Sequence, residues 1–179
     1  MVFTGHWEHD LQILEAFLED IEYKTATSRL QKFKIKRSQG GSVLMGYTYR
    51  GFLSKDKSRV WCPNMKKFET KLMSDRQDLW LYLQMFRDLY FRDFNFTGVQ
   101  LNYNYKIGPH FDSNNIGESV LICCGDYTGG STIVEMDDVL HYFDGRKAPV
   151  IFDGSKYKHY VDDFIGERYS LVFFSDNKN

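Results

Sequence analysis

Thr97-Gly98-Val99-Gln100-Leu101-Asn102-Tyr103-Asn104-Tyr105 opens a series of short runs rich in β-formers. The others fall at 118–124, 131–135, 149–152, 157–161 and 168–174. Between them lie turn clusters: Gly125-Asp126-Tyr127-Thr128-Gly129-Gly130, Asp144-Gly145 and Asp153-Gly154-Ser155. Short strands at regular spacing, with no helical pattern between them, predict a sandwich or barrel.

Upstream the period changes. Leu11, Leu14, Leu18 and Ile21 recur every three or four residues, with Ile13 and Phe17 widening the stripe, so a helix is expected over 8–23. Lys32-Phe33-Lys34-Ile35-Lys36 alternates as a half-exposed strand, a turn follows at Ser38–Ser42, and Val43–Tyr49 reads as another strand. Pro63-Asn64 breaks the chain and a short helix is expected around 65–72. Ser74 with Gln77 has the capping-box spacing, ahead of a second helical stripe at Leu79, Leu83, Phe86 and Tyr90 that ends near Arg92. The expectation is an α+β chain forming one domain over 1–179: a helix-rich N-terminal support over 1–95 and a β-barrel core over 96–176. No internal repeat or low-complexity segment interrupts it.

A chain of 179 residues that is 42% hydrophobic and 17% aromatic can bury a core, which excludes disorder over most of its length. No apolar run approaches the roughly 20 residues that a membrane-spanning helix needs. The start, Met-Val-Phe-Thr-Gly-His-Trp-Glu, lacks the pattern of a signal peptide. Cys62, Cys123 and Cys124 make a poor disulfide framework: the count is odd, and neighbours on a strand point to opposite faces. These features place the expected setting in a reducing, intracellular compartment. The net charge of -1 hides an asymmetry, because residues 24–76 carry +11 and the remainder -12. A solvated surface balanced by the acidic remainder explains this, and so does a basic face for a polyanion such as nucleic acid.

His110-Phe111-Asp112 is an H-x-D step. On an extended segment its two ends point to one side, so an imidazole nitrogen and a carboxylate oxygen can reach one metal ion. A second imidazole must come from elsewhere. His159 is the candidate, with 46 residues between it and Asp112. Two His and one carboxylate leave three adjacent octahedral positions open, the facial triad of non-haem Fe(II) oxygenases. Two of those positions suit a bidentate 2-oxo acid and the third suits O2. Nine residues after His159 comes Arg168, with Ser170 on the same face of a predicted strand. A guanidinium with a hydroxyl beside it is what gripping the distal carboxylate of 2-oxoglutarate requires. An ordinary salt bridge from Arg168 to Glu167 or Asp163 is the competing reading.

With these residues assembled, the stretch from about 97 to 175 resembles the Fe(II)/2-oxoglutarate-dependent dioxygenase superfamily. More narrowly it is similar to compact dioxygenases of algae, protists and large viruses, distantly like the TET/JBP group. The resemblance rests on the order of Asn102-Tyr103-Asn104, His110-Phe111-Asp112, Asp112-Ser113-Asn114-Asn115-Ile116-Gly117-Glu118-Ser119, Gly125–Gly130 and Gly166–Phe174. The His-to-Arg interval is shorter than in better-known plant members, which implies a tighter hairpin. The resemblance implies a double-stranded β-helix, or jelly roll, carried on supporting helices. It also implies oxidative decarboxylation of 2-oxoglutarate to succinate and CO2, with hydroxylation of a C–H bond. Fe(II), 2-oxoglutarate and O2 are the implied cofactor and cosubstrates.

Of the pairs Asn102/Asn104 and Tyr103/Tyr105, one should face the barrel interior and meet the cosubstrate; the family pattern favours Asn102, and Tyr103 is kept as a second candidate. Asn114 and Asn115 either orient Asp112, contact substrate or form an Asx turn. His6, His9 and His141 have no ligand-like partner in sequence, and Trp7, Trp61 and Trp80 are assigned to core or pocket wall. Three substrate readings stay open. One is a nucleobase, flipped out if the target is a duplex. A second is a protein side chain or small metabolite. A third is a non-catalytic metal-binding jelly roll, against which a cosubstrate clamp argues.

Overall fold

The computed structural model describes residues 4–24, 40–49, 52–53, 59–60 and 67–176. Helix α1, Trp7–Glu19, buries Asp10, Leu11, Leu14 and Leu18 along one stripe. It ends four residues before the expected boundary, but Ile21 still joins the core. Helix α2, Lys71–Asp75, is capped by Thr70, whose hydroxyl accepts from the Met73 N–H. Helix α3, Gln77–Tyr90, buries Leu79, Tyr82, Leu83 and Phe86. The expected capping box is corrected here. Ser74 lies inside α2, and Arg76, not Ser74, stands at the N-cap of α3, with no side-chain cap hydrogen bond. The short helix expected at 65–72 is displaced as well. Residues 67–69 pair with another strand instead, because that ladder supplies hydrogen bonds an isolated turn could not.

Thirteen strands occur among the described residues. In chain order they are β1 Gly41–Tyr49, β2 Phe52–Leu53, β3 Arg59–Val60, β4 Lys67–Glu69, β5 Gly98–Tyr103, β6 Ser119–Cys124, β7 Tyr127–Gly129, β8 Thr132–Met136, β9 Val139–Phe143, β10 Val150–Phe152, β11 Lys158–Val161, β12 Phe164–Gly166 and β13 Tyr169–Phe174. A six-stranded antiparallel sheet runs β10-β6-β13-β5-β1-β4. A second sheet runs β11-β8-β9, and β12-β7 and β2-β3 form pairs. The two larger sheets face each other across a pocket lined from both. The arrangement is consistent with the jelly roll expected from the sequence.

One face of the six-stranded sheet packs on the helices. Val99, Leu101, Val120, Ile122, Leu171 and Phe173 join Leu14, Leu18, Leu83 and Phe86 in one buried cluster. Each such side chain contributes about 1.5–3 kcal/mol by leaving water. The opposite face, with Leu121, Cys123, Val150 and Phe152, belongs to a second cluster shared with Val134 of the other sheet. Cys123 and Cys124 therefore fall on opposite faces, both as free buried thiols. Strand β6 is buried along its whole length because both of its faces are covered. The expected strand at 32–36, Trp61, Cys62 and most of the basic segment lie outside the described residues. Among the described residues no helix is long and apolar enough to cross a membrane.

Candidate active site

The segment before Asp112 lies beside β11. His110 and His159 form an antiparallel bridge, each N–H donating to the other's carbonyl at 3.1 and 3.0 Å. The Asp112 N–H donates to the Gly154 carbonyl at 2.8 Å. These backbone bonds bring together residues distant in sequence. The two imidazoles, 4.2 Å apart between ring centroids, converge with the carboxylate, and one ligand atom from each residue lies within 4.8 Å of the others. His110 Nε2 lies 3.7 Å from Asp112 Oδ1, and His159 Nε2 lies 3.6 Å from Asp112 Oδ2.

The ring orientations are fixed from behind. His110 Nδ1 meets the Gly108 carbonyl at 2.9 Å, and His159 Nδ1 meets the Tyr157 carbonyl at 3.0 Å. A neutral imidazole donating from Nδ1 carries its lone pair on Nε2, the atom turned toward Asp112. Phe152 closes on His159 edge to face at 5.1 Å. Asn115 reaches Asp112 Oδ2 at 3.5 Å and Ser119 Oγ at 3.4 Å, so it both forms the turn and approaches the carboxylate. Gly154 was legible only as a turn residue. A Cβ there would stand 3.2 Å from His159 Cε1 and 3.5 Å from Asp112 Oδ2, so glycine gives the three ligand groups room.

Arg168 lines the same pocket and is 1% exposed. Its Nε donates to the Gly130 carbonyl at 3.1 Å, and its Nη2 lies 3.3 Å from Cys123 Sγ and 3.5 Å from Thr132 Oγ1. No carboxylate of the described residues pairs with it. Glu167 takes the Tyr103 hydroxyl and Asp163 pairs with Lys106, which removes the salt-bridge reading. A buried cation without a counter-ion costs several kcal/mol, a cost that an anion at this position would offset. Burial pushes the Cys123 thiol above its ordinary value, while the neighbouring guanidinium pulls the other way. Thr132 and Cys123 carried no signal in the sequence beyond ordinary strand residues.

Neither Asn102/Asn104 nor Tyr103/Tyr105 faces the pocket as a pair. Strand β5 ends at Tyr103, and Asn104 takes a left-handed conformation, φ 45°. The alternation breaks there, so Asn102 and Tyr105 both line the pocket. Asn102 Nδ2 donates to Ser170 Oγ and to its carbonyl at 3.3 Å, and Asn102 Oδ1 accepts from Ser42 Oγ at 2.7 Å. Tyr103 is corrected as a cosubstrate residue. Its ring stacks on Tyr169 on the far face of the sheet, and its hydroxyl donates to Glu167 at 2.9 Å. Asn104 instead holds Arg168, its Oδ1 accepting from the Arg168 N–H at 2.8 Å. Asn114 is exposed, and His6, His9 and His141 join no cluster of metal-ligating groups among the described residues.

No family model and no curated protein matches this sequence. Solved structures do. An oxidoreductase of the 2OG-Fe(II) oxygenase family from Burkholderia pseudomallei superposes with a TM-score of 0.57 at 16% identity, covering 97% of this chain and 82% of its own. The fold is that of the 2OG-Fe(II) oxygenases. NgTET1 in complex with 5mC DNA matches with a TM-score of 0.53 at 18% identity, over 93% of this chain and 68% of that one. A prolyl-4-hydroxylase from Pseudomonas putida matches with a TM-score of 0.52 at 13% identity, over 99% and 89%. Set in this oxygenase fold, His110, Asp112 and His159 share one pocket with Arg168, Ser170 and Asn102.

Proposed function

We propose that the protein is an Fe(II)- and 2-oxoglutarate-dependent dioxygenase, built on a double-stranded β-helix, that hydroxylates a substrate C–H bond and releases succinate and CO2. One observation carries the reading. A His–Asp–His donor set and a buried arginine that has no carboxylate partner among the described residues open into the same pocket. Two neutral imidazoles and a carboxylate suit Fe(II) and leave positions for a cosubstrate and O2. Iron, when bound, supplies the activation of O2. His110, Asp112 and His159 would hold it, with Gly108 and Tyr157 fixing the imidazoles. Arg168, with Thr132 and Ser170 beside it, would take the distal carboxylate of 2-oxoglutarate. Asn102 orders Ser170 for that role, and Leu121, Phe152 and Val172 exclude water from the pocket wall.

For the substrate we favour a nucleobase in DNA or RNA. The +11 segment at 24–76 supports this, and so does the likeness to NgTET1, a structure with 5mC DNA. A protein side chain is the second reading, favoured by the likeness to a prolyl-4-hydroxylase. The test incubates the protein with Fe(II), ascorbate, 2-oxoglutarate and either nucleic acid or peptide pools, and analyses nucleosides and peptides by mass spectrometry. Gain of one oxygen on a base, matched by succinate, is expected. Oxygen gained on a peptide alone would replace the first substrate reading by the second. Absence of succinate in every reaction would overturn the dioxygenase itself.

A further inference from the structure

Polar groups on the pocket face of the six-stranded sheet form a chain across three strands. Gln100 of β5 donates from Nε2 to Ser42 Oγ of β1 at 2.6 Å, and Ser42 Oγ donates to Asn102 Oδ1 at 2.7 Å. Asn102 Nδ2 then donates to the carbonyl and to Oγ of Ser170 on β13, each at 3.3 Å. Ser42, Asn102 and Ser170 stand opposite one another in the ladder. A pair of glycines permits this register. A Cβ at Gly40 would overlap the Tyr103 carbonyl oxygen, and one at Gly41 would stand 2.7 Å from Tyr23 Cβ. The Ser42 N–H donates to the Lys24 carbonyl at 2.9 Å, which holds this end of β1 in place.

The chain has one polarity. A carbonyl oxygen only accepts, so the Ser170 carbonyl sets Asn102 with its NH2 toward β13 and its Oδ1 toward β1. Oδ1 also only accepts, so Ser42 gives it its single hydrogen and must itself accept from Gln100. At the far end Ser170 Oγ accepts from Asn102 and keeps its own hydrogen to donate. The Asn102 amide is engaged at both ends, so its part is to orient that hydroxyl. Ser170 is 5% exposed and lines the pocket together with Arg168. A hydroxyl set as a donor beside a guanidinium suits a carboxylate, which offers acceptors alone.

We propose, on the dioxygenase reading above, that Ser42 is a positioning residue of the 2-oxoglutarate site: through Asn102 it holds the Ser170 hydroxyl as a donor to the distal carboxylate. Strand β1 thereby becomes part of the site, although the sequence pattern of the dioxygenases spans only about 97–175. Without the Ser42 hydroxyl nothing in this chain of bonds keeps the Asn102 oxygen toward β1. The amide is then free to turn over, and a turned amide takes the Ser170 hydrogen for itself. The donor toward the ligand is lost. His110, Asp112 and His159 stand on other segments, held by their own backbone bonds to Gly154 and to each other, so the metal-binding group is left as it was.

The test measures 2-oxoglutarate binding to the Fe(II)-loaded full chain by calorimetry without O2. Ser42→Thr and Ser42→Val share a shape and differ in the hydroxyl; Ser42→Ala, Ser170→Ala and the double Ala variant complete the set. Ser42→Ala and Ser42→Val are expected to bind roughly three- to tenfold more weakly than the wild type, and Ser42→Thr within about twofold of it. The double Ala variant should stay within about twofold of Ser170→Ala, because Ser42 acts through Ser170. Fe(II) affinity, by competition with a chelator, and the denaturant midpoint should match between Ser42→Thr and Ser42→Val. Equal 2-oxoglutarate affinity in wild type, Ser42→Ala and Ser42→Val, or losses that add in the double variant, would overturn the proposal and leave the dioxygenase reading standing. A parallel fall in Fe(II) affinity or in the midpoint would make Ser42 a residue of the fold and overturn it too. No binding by the wild type would overturn both.

Discussion

The two faces of the six-stranded sheet are both buried, and they are built differently. On the helix side the ladder presents Val99, Leu101, Ile122, Leu171 and Phe173, all apolar and closely packed. On the pocket side the same strands present Gln100, Asn102 and Ser170, with Arg168 at the end of the ladder. A buried apolar face needs only another apolar face to cover it. A buried polar face needs a partner for its polar groups, and in Arg168 that partner is not a carboxylate of the described residues. Burial on one side of a strand therefore serves stability, and on the other side, under the proposed function, it would serve a ligand.

Four substitutions test this contrast between the two faces. The largest effect belongs to Asp112→Ala on the pocket side, which is expected to abolish iron-dependent succinate release; release that survives in this variant would separate the reaction from the triad. Next is Phe173→Ala on the helix side, a fully buried ring against Phe91 and Phe96. It should cost about 3–5 kcal/mol in denaturant unfolding while touching no pocket side chain.

Asp10→Asn is expected to cost about 1–3 kcal/mol. Asp10 is buried under the helices, where it accepts from Thr4, Gly5 and Tyr90. Burial alone would lift its carboxyl, but these hydrogen bonds outweigh that and hold it below its ordinary 3.8. A lowered folded value stabilises the protein above the unfolded value and is lost in acid. The difference between wild type and variant should therefore shrink as pH falls below 3.8. The smallest effect is Gly154→Ala. Its new Cβ would press on His159 at 3.2 Å, and metal affinity by competition with a chelator should fall by roughly tenfold or less, with overall stability little changed.

The sequence made much of this legible wherever a local period or a chemical pattern decided the outcome. The stripes of α1 and α3 and strands β5, β6, β8, β10, β11 and β13 follow from hydrophobic spacing, whereas Tyr127–Gly129, expected within a turn, pairs with β12. The H-x-D step, the distal His159 and Arg168 were readable because their chemistry demands a shared site, and one pocket does contain them. What stayed hidden depends on contacts distant in the chain. Lys67–Glu69 became a strand because β1 offered it a ladder. Tyr103 faces away by ordinary alternation beside Asn102, and Tyr105 reaches the pocket only because left-handed Asn104 breaks that alternation. Strand β9 escaped notice because its Val139, Leu140 and Tyr142 are apolar yet exposed, so no alternation marks it. Gly154 reads as a turn until Asp112 and His159 are seen to close around it.

Under the proposed function, Arg168 is buried for a ligand rather than for the fold. Calorimetry of 2-oxoglutarate with the Fe(II)-loaded protein under anaerobic conditions tests it, with wild type set against Arg168→Met. Saturable, metal-dependent binding by the wild type is expected, with a loss of roughly ten- to a hundredfold in affinity in the variant, the worth of about 1.5–3 kcal/mol for hydrogen bonds to a charged group. The ligand-free variant should unfold within about 1 kcal/mol of the wild type, since an apolar side chain of similar length replaces an uncompensated charge. No binding by the wild type, or equal binding by both proteins, would contradict it.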